Sequence, residues 1–542
     1  MSTKKDAPRA TLELYGNIDE NFYQLGLKDR ESGKIVHADV QNMLRTPITG
    51  VNKLIAEVSK NIIKQTFTKD KNKYPHLKAY AEGMQLKTED LFYIMLIPEI
   101  VSGMSKWAPG LIKGNFGCSS FFMRNENQEM LHGRILDFPL KNSFDLHERG
   151  ILYAFDNRPK IFGFSSAGIP YPSITATNEY GVSVALHQKF TNVLNFDGES
   201  IFEIIFDLLN HVKNKEEAIE FLQDKKSITT WCLYMSFKTG DILAYDIMGS
   251  KAYFNEAFLP ADSKKIYYFC NHLEDPNMVQ TDFVPIGFND YNLMREQSSH
   301  KKIEQFIKKD KYTEIDLLKM MTTPSKNHHQ YQMDCLTPTT LTAAVLNPTA
   351  HSVHYVYGPA PKVYQNNIEK IEQCFSNPKH QVIEDKKYKN QHAEYFKGLS
   401  ALSLAQKAFD IKDAQNIYHQ LQLAIDHLEN YPDQIVAKFY FLIAQYIYED
   451  HQKVKFHLLQ EFKEIRSKLT GYLSEQCELF IFRLEYQLNL PVTLEKDLLV
   501  HQKLRDIYEF ELKIPKAIFH FTTKMMMVPR IDILDIIYVY TH

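Results

Sequence analysis

The middle of the chain constrains the fold most. From Cys118 to about Pro361, short apolar or alternating runs follow one another between turns: "CSSFFM", "EMLHGRILDF", "ILYAFD", "GVSVALHQ", "TTWCLYMSF", "ILAYDI", "KIYYFC", "TLTAAVLNP" and "SVHYVYGP". Runs of this length and alternation read as strands. Helical stretches interrupt them, "ESIFEIIFDLLNHV" with "KEEAIEFLQDK", then "MREQSSHKKIEQFIKK" with "EIDLLKMMTT". Strands, a helix pair, then strands again predict an α+β fold: a sandwich of antiparallel sheets with helices on the outer faces. On both sides of this block the spacing turns helical. Residues 1–117 read as a short strand, "TLELYG", followed by helices such as "NKLIAEVSKNIIKQTF". After about residue 375 come amphipathic segments with short polar connectors, among them "AEYFKGLSALSLAQKAF" and "DQIVAKFYFLIAQYIY". These predict an all-α array of helical hairpins without a fixed-period repeat signature. The expected units are an N-terminal strand and helical segment (1–117), a layered core (118–375), a helical-hairpin domain (376–510) and a C-terminal tail (511–542).

Composition narrows the functional classes. A chain of 542 residues exceeds one core of ordinary size. A net charge of −3 gives no reason to expect nucleic acid or an anionic membrane as a partner. The longest apolar run, "LFYIMLIPEIVSGM", carries Pro98 and Glu99 and is too short to span a bilayer. The polar N-terminus has no apolar signal region, so a cytoplasmic location is expected. Six cysteines, at positions 118, 232, 270, 335, 374 and 477, form no CxxC pair. Neither a disulfide framework nor a zinc site is expected from them, and no metal or cofactor. His328–His329 and the Tyr-rich stretches read as loop and core.

The chemistry concentrates in "GNFGCSSFFMRNENQEMLHGRILDFP", residues 114–139. Read as a hairpin centred on Glu126, it sets Cys118 opposite Arg134, Ser120 opposite His132 and Phe122 opposite Met130. Opposed residues share a face, so the guanidinium favours the Cys118 thiolate and lowers its pKa. Asp137 falls on the other face of an ideal strand, and a bend near Leu136 is needed to bring it back. If the Gly117–Cys118 bond is cut, the new α-amine has an unperturbed pKa of about 7.7–8.0 and stands beside the thiol as its base. Glycine before the cut tolerates strained backbone. The competing reading of Cys118 is a small buried hydrophobe.

These residues resemble the N-terminal-nucleophile cysteine hydrolases of the choloylglycine hydrolase and acyl-coenzyme A:6-aminopenicillanic acid acyltransferase type. "GCSS" followed by "HGRILDFP" is similar to that family's nucleophile hairpin, "TATNEYGVSVAL" to its next strand pair, and "FCNHLED" to the strand bearing an oxyanion asparagine. "TLTAAVLNPTAHSVHYVYGPAP" resembles the closing strand pair, and "YQLGLKDRE" part of the pro-segment. The resemblance spans about residues 10–365 and implies an αββα sandwich that cleaves itself before Cys118. The processed chain would then hydrolyse, or transfer the acyl group of, a carbon–nitrogen amide bond in an N-acylated small molecule. It implies Cys118 as nucleophile, Arg134 as thiolate stabiliser, Asp137 as orienter of the amine and Asn271 as oxyanion donor. For Asn271, a turn asparagine closing "CNH" is the alternative. Where the family carries another oxyanion asparagine this chain has His187, then Gln188; a neutral histidine donates one N–H, in one tautomer. Arg295 corresponds to the family's late arginine, with Lys301 and Lys302 as rivals and an exposed helix charge as the competing reading.

A second reading comes from the extension of roughly 170 residues beyond the core. In it the hydrolase core is never processed, and the C-terminal helices make the chain an interaction or scaffold module. Under either reading those helices could bind a protein partner or a second copy of the chain.

Overall fold

The computed structural model describes residues 10–44, 49–67, 73–104, 117–172, 174–191, 193–275, 286–308, 312–324 and 334–538. His328 and His329 lie outside them. Two sheets form the centre. The first runs in the order β1 (Leu12–Gly16), β4 (Glu148–Phe155), β5 (Ile161–Ser166), β6 (Thr175–Asn178), β7 (Val182–Gln188), β8 (Thr230–Phe237), β9 (Asp241–Met248) and β10 (Lys251–Phe258). The second runs β11 (Tyr267–Phe269), β2 (Gly117–Arg124), β3 (Met130–Asp137), β12 (Thr340–Asn347), β13 (Ser352–Val356), β14 (Ile368–Glu372) and β15 (Lys379–Ile383). Neighbours pair antiparallel, except that β1 lies parallel to β4. The second sheet thus continues past residue 375, the expected end of the core.

Alternation along the strands sorts residues into layers. Leu152 and Phe162 of the first sheet meet Ala344 and Leu346 of the second. Cys232 and Tyr234 likewise meet Phe122 and Met130, so the two sheets pack face to face. The other side of the second sheet, with Phe121, Leu131 and Ile135, is covered by α8 (Ile286–Phe306) and α9 (Glu314–Thr322). The other side of the first sheet, with Val184 and Leu233, is covered by α6 (Ile201–His211), α7 (Lys215–Gln223) and the N-terminal helices. A short α5 (Phe144–His147) leads into β4. The molecule is therefore α+β, with layers of helix, sheet, sheet and helix.

The N-terminal helices are α1 (Ile18–Leu44), α2 (Thr49–Ile62), α3 (Pro75–Gly83) and α4 (Thr88–Met104). Asp29 of α1 takes hydrogen bonds from Arg149 of β4 at 2.6 Å and from Tyr80 of α3 at 2.7 Å, all three largely buried. The apolar run around Pro98 is α4, and it docks on the sheet: Glu99 accepts from the Trp231 indole at 2.7 Å and from the Ile201 backbone at 2.9 Å. Among the described residues, no helix is long and apolar enough to cross a membrane.

Beyond residue 392 the chain forms α10 (Ala393–Ile411), α11 (Ala414–His427), α12 (Gln434–Tyr448), α13 (Gln452–Ile465), α14 (Gly471–Gln487), α15 (Gln502–Glu511) and α16 (Lys516–Met525). A hairpin, β16 (Met527–Arg530) and β17 (Asp535–Tyr538), follows within the expected tail. The expected tail belongs to the same core: Ile531, Leu534 and Ile536 pack with Tyr440, Leu473 and Phe480. Tyr440 donates between the carbonyls of Arg530 and Asp535, at 3.0 and 3.1 Å.

This unit meets the sandwich at α8. Asp535 accepts from the Gly287 backbone at 3.2 Å, and Phe288 and Tyr291 pack against Ile533 and Ile537. Asp290 pairs with His501, which Glu475 holds from the other side. Hydrogen bonds to Asp290 and Glu475 push the His501 pKa up to about 10. A histidine raised in the folded state stabilises fully below its unfolded pKa, about 6.5, and loses that contribution as pH climbs through the folded value. The stability deficit of His501→Gln, read from denaturation midpoints across pH, should be largest below about pH 6.5 and fade towards about pH 10.

Candidate active site

The hairpin of β2 and β3 pairs Gly117 with Asp137, Cys118 with Leu136, Ser120 with Arg134 and Phe122 with His132. The register is thus two residues away from the one expected from a turn centred on Glu126. The shift keeps parity, so Cys118, Ser120, His132 and Arg134 still share one face. That face looks onto the first sheet, and Arg134 reaches Cys118 along a diagonal rather than straight across.

Arg134 is fully buried between the sheets. Its Nη2 donates to Cys118 Sγ at 3.1 Å and to the Leu186 carbonyl at 2.6 Å, and its Nη1 donates to His187 Nε2 at 2.7 Å. An arginine only donates, so His187 Nε2 must carry a lone pair. On its other side, Nδ1 stands 3.1 Å from the Cys270 carbonyl, which only accepts. The two contacts fix the Nδ1–H tautomer and commit its single proton. His187, expected as a stand-in oxyanion donor, has no proton directed at Cys118; it holds Arg134. From there a buried polar ladder continues: Ser120 Oγ lies 2.9 Å from His187 Nε2 and 3.2 Å from His132 Nε2. His132 Nδ1 lies 2.9 Å from Ser183 Oγ. Burial, then the Arg134 charge, drives both histidines well below their ordinary pKa, so the ladder is neutral.

Burial also pushes the Cys118 thiol up, against the opposing pull of Arg134. The lowered pKa expected from the guanidinium is therefore not what the uncut chain has. Desolvation of a wholly buried sulfur outweighs one adjacent cation.

Asp137 lies on the opposite face from Cys118, as an ideal strand requires, and no bend returns it. The irregularity falls in the neighbouring strand, where β12 advances from Thr340 to Thr342 while β3 steps from Asp137 to Leu136. The carboxylate lies over Gly117: a Cβ on that glycine would stand 2.9 Å from Asp137 Oδ2 and 3.3 Å from Arg295 Nη1. Glycine is needed here for close approach. Asp137 Oδ1 accepts from Thr337 and Thr340 at 2.9 and 2.6 Å, and Oδ2 faces Arg295 Nη1 at 3.5 Å. Burial raises its pKa to about 6, with Arg295 and the two threonines opposing.

Asn271 follows β11 and is buried. Its Oδ1 accepts from the Cys118 backbone N–H at 2.8 Å and from Arg295 Nη2 at 2.8 Å, while Nδ2 donates to the Gln188 carbonyl at 3.0 Å. It meets Cys118 with its oxygen, not with the N–H that oxyanion donation requires. Arg295, on α8, is fully buried and not an exposed helix charge. Asn292 accepts from it at 2.6 Å, and its guanidinium carbon lies 4.7 Å from the centre of the Tyr291 ring. Of its rivals, Lys301 is exposed and Lys302 pairs with Asp334 at 2.6 Å.

The fold therefore gathers Gly117, Cys118, Arg134, Asp137, His187, Asn271 and Arg295 around one peptide bond. Sequence reasoning missed Tyr291, Asn292, Thr337 and Thr340; the run of threonines in "LTPTTLT" was the available signal. It also found no metal-ligand spacing. Among the described residues, Cys270, His272 and Glu296 nonetheless bring one ligand atom each within 4.8 Å of one another. A small apolar cavity of about 30 Å³ is lined by Ile94, Met95, Leu186, Phe202, Trp231 and Leu136, the strand partner of Cys118.

No family model and no curated protein matches this chain. Solved structures similar to it include the Caenorhabditis elegans ortholog of N-acylethanolamine-hydrolyzing acid amidase, at 14% identity and TM-score 0.32, covering 43% of this chain and 93% of that one. A mutant conjugated bile acid hydrolase from Clostridium perfringens matches at 14% identity and TM-score 0.32, covering 50% of this chain and 98% of its own. Penicillin V acylase from Agrobacterium tumefaciens matches at 13% identity and TM-score 0.31, covering 47% and 91%. Likeness this slight carries no argument, and the reading of the site rests on its own geometry.

That geometry makes His187 the acceptor on which a buried cation depends. His187→Ala should lower unfolding free energy by at least about 1–3 kcal/mol, the cost of a buried donor left unsatisfied, measured by chemical denaturation.

Proposed function

We propose that the chain is a self-processing cysteine amidohydrolase. Cys118 cuts the Gly117–Cys118 bond and, as a new N-terminus, attacks the amide carbonyl of an N-acylated small molecule. The observation that carries this reading is the pair of contacts on Cys118: its sulfur 3.1 Å from Arg134 Nη2 and its nitrogen 2.8 Å from Asn271 Oδ1.

In the self-cleavage, Sγ adds to the Gly117 carbonyl carbon and the thiol proton passes to the Cys118 nitrogen. The C–N bond then opens to a thioester. Water hydrolyses the thioester, releasing the Gly117 carboxylate and restoring the thiol. Arg134 stabilises the sulfur as it gains charge. The Asp137 carboxylate, lying over Gly117, relays the proton. In the cut enzyme one N–H of the amine keeps Asn271 Oδ1 as its acceptor, which leaves the lone pair for the thiol. Arg295 shares that oxygen, and its charge favours the neutral amine. With an ordinary pKa of about 7.7–8.0, such an amine serves as base near neutrality. The acyl group on sulfur then passes to water, or to an amine if the enzyme is an acyltransferase. His187 acts through Arg134.

Intact mass and N-terminal sequencing of the wild type and of Cys118→Ala test the reading. A fragment beginning at Cys118 in the wild type alone is expected, with hydrolysis of N-acyl amides by the cut form. An uncut chain in both samples would sink it and favour the scaffold reading of the C-terminal helices. A relay needs the carboxylate form of Asp137, so the processing rate followed by gel should rise with pH through about 6, and Asp137→Asn should be slow throughout.

A further inference from the structure

We propose that Cys270, His272 and Glu296 form a binding site for zinc, a thiophilic divalent cation, on the outer side of the residues that hold Cys118. Cys270 and His272 flank Asn271, and Glu296 follows Arg295 in α8, so each ligand is the chain neighbour of a residue in contact with the scissile nitrogen or its partner. The three ligand atoms already lie within 4.8 Å of one another. His272 Nε2 stands 3.6 Å from Glu296 Oε2, close to the separation of about 3.4 Å between two ligands on tetrahedral zinc with bonds near 2.1 Å. That nitrogen is buried and makes no hydrogen bond, as a ligand nitrogen awaiting an ion would be. Cys270 is almost wholly buried, whereas His272 and Glu296 are part-exposed. The ion would thus enter from solvent and keep a water in its fourth position.

Thiolate, imidazole and carboxylate together suit zinc better than magnesium or calcium, which take oxygen ligands. Binding forms Zn–S, Zn–N and Zn–O bonds and releases one proton from the Cys270 thiol to solvent. The charges of Lys189 and Arg295 oppose a cation here, and Glu274 and Asp246, facing Lys189, offset part of that field. Because one ligand is on α8 and two follow the end of β11, the ion clamps the strand's exit to the helix and fixes Asn271 against Arg295.

The test uses the full chain carrying Cys118→Ala, which removes the competing active thiol and keeps the chain in one piece. After chelator treatment it is titrated with zinc by calorimetry and, separately, loaded with cobalt. One equivalent of zinc, a thiolate-to-cobalt charge-transfer band and a higher melting temperature with zinc are expected. Adding Cys270→Ser should abolish the band, and Glu296→Gln, at a part-exposed helical position that does not disturb the core, should weaken zinc by at least about 100-fold, more than loss of an outer-shell partner costs. Absence of zinc binding, or binding of equal strength in Glu296→Gln, would overturn the proposal even if Cys270→Ser failed to fold. None of these readouts depends on amidase activity.

Discussion

A guanidinium sealed between two sheets must find its solvation in the protein, and Arg134 finds it on both sheets at once. It grows from β3, yet its acceptors are the Leu186 carbonyl and the His187 ring of β7 and the Cys118 sulfur of β2. Its Nε has no hydrogen-bond partner, so these contacts carry the whole burden of compensating the charge. A buried ion losing its partners costs several kcal/mol. The spacing of the sheets, the tautomer of His187 and the position of the thiol are therefore one coupled setting. Sliding either sheet would leave the cation exposed to nothing.

The second organising element is α8. One side carries Tyr291, Asn292 and Arg295 into the site, and the first turns meet Asp535, His501 and the hairpin at the end of the chain. The C-terminal unit, distant from Cys118 in sequence, thus buttresses the helix that positions Asn271 and Asp137. The core of the C-terminal unit closes on itself around Tyr440 and the buried Arg483–Glu511 pair, so it can act as a rigid support.

Much of this was legible in the sequence. Alternation gave the strands, and the spacing of Cys118, Arg134 and Asp137 led to one hairpin, because side-chain parity survives a register slip of two. The register itself was not legible: the turn "RNENQ" accepts more than one centre, and Glu126 and Asn127 are equally polar. Arg295 was a candidate on resemblance alone, with a surface charge as the competing reading, because its helix has no clear apolar stripe; its burial comes from β11, Asp137 and the C-terminal hairpin, all remote in sequence. The run "LTPTTLT" displayed the threonines, but which of them reach Asp137 depends on how the end of β12 lies against β3, remote in sequence. The upward shift of Cys118 was missed because spacing reports neighbouring charge but not desolvation.

The pairing of β1 with β4 has a further meaning under the proposed scission before Cys118. The N-terminal piece contributes an edge strand, the Asp29 carboxylate that neutralises Arg149, and the α4 residues Glu99 and Ser102 that satisfy Trp231 and the Lys189 carbonyl. Breaking the bond at Gly117 severs none of these. The product would be two chains interlocked in one core, and their separation would require unfolding of the sandwich rather than release of a leader. Scission would alter the molecule's connectivity and charge by a single new pair of termini while leaving its architecture a joint property of both pieces.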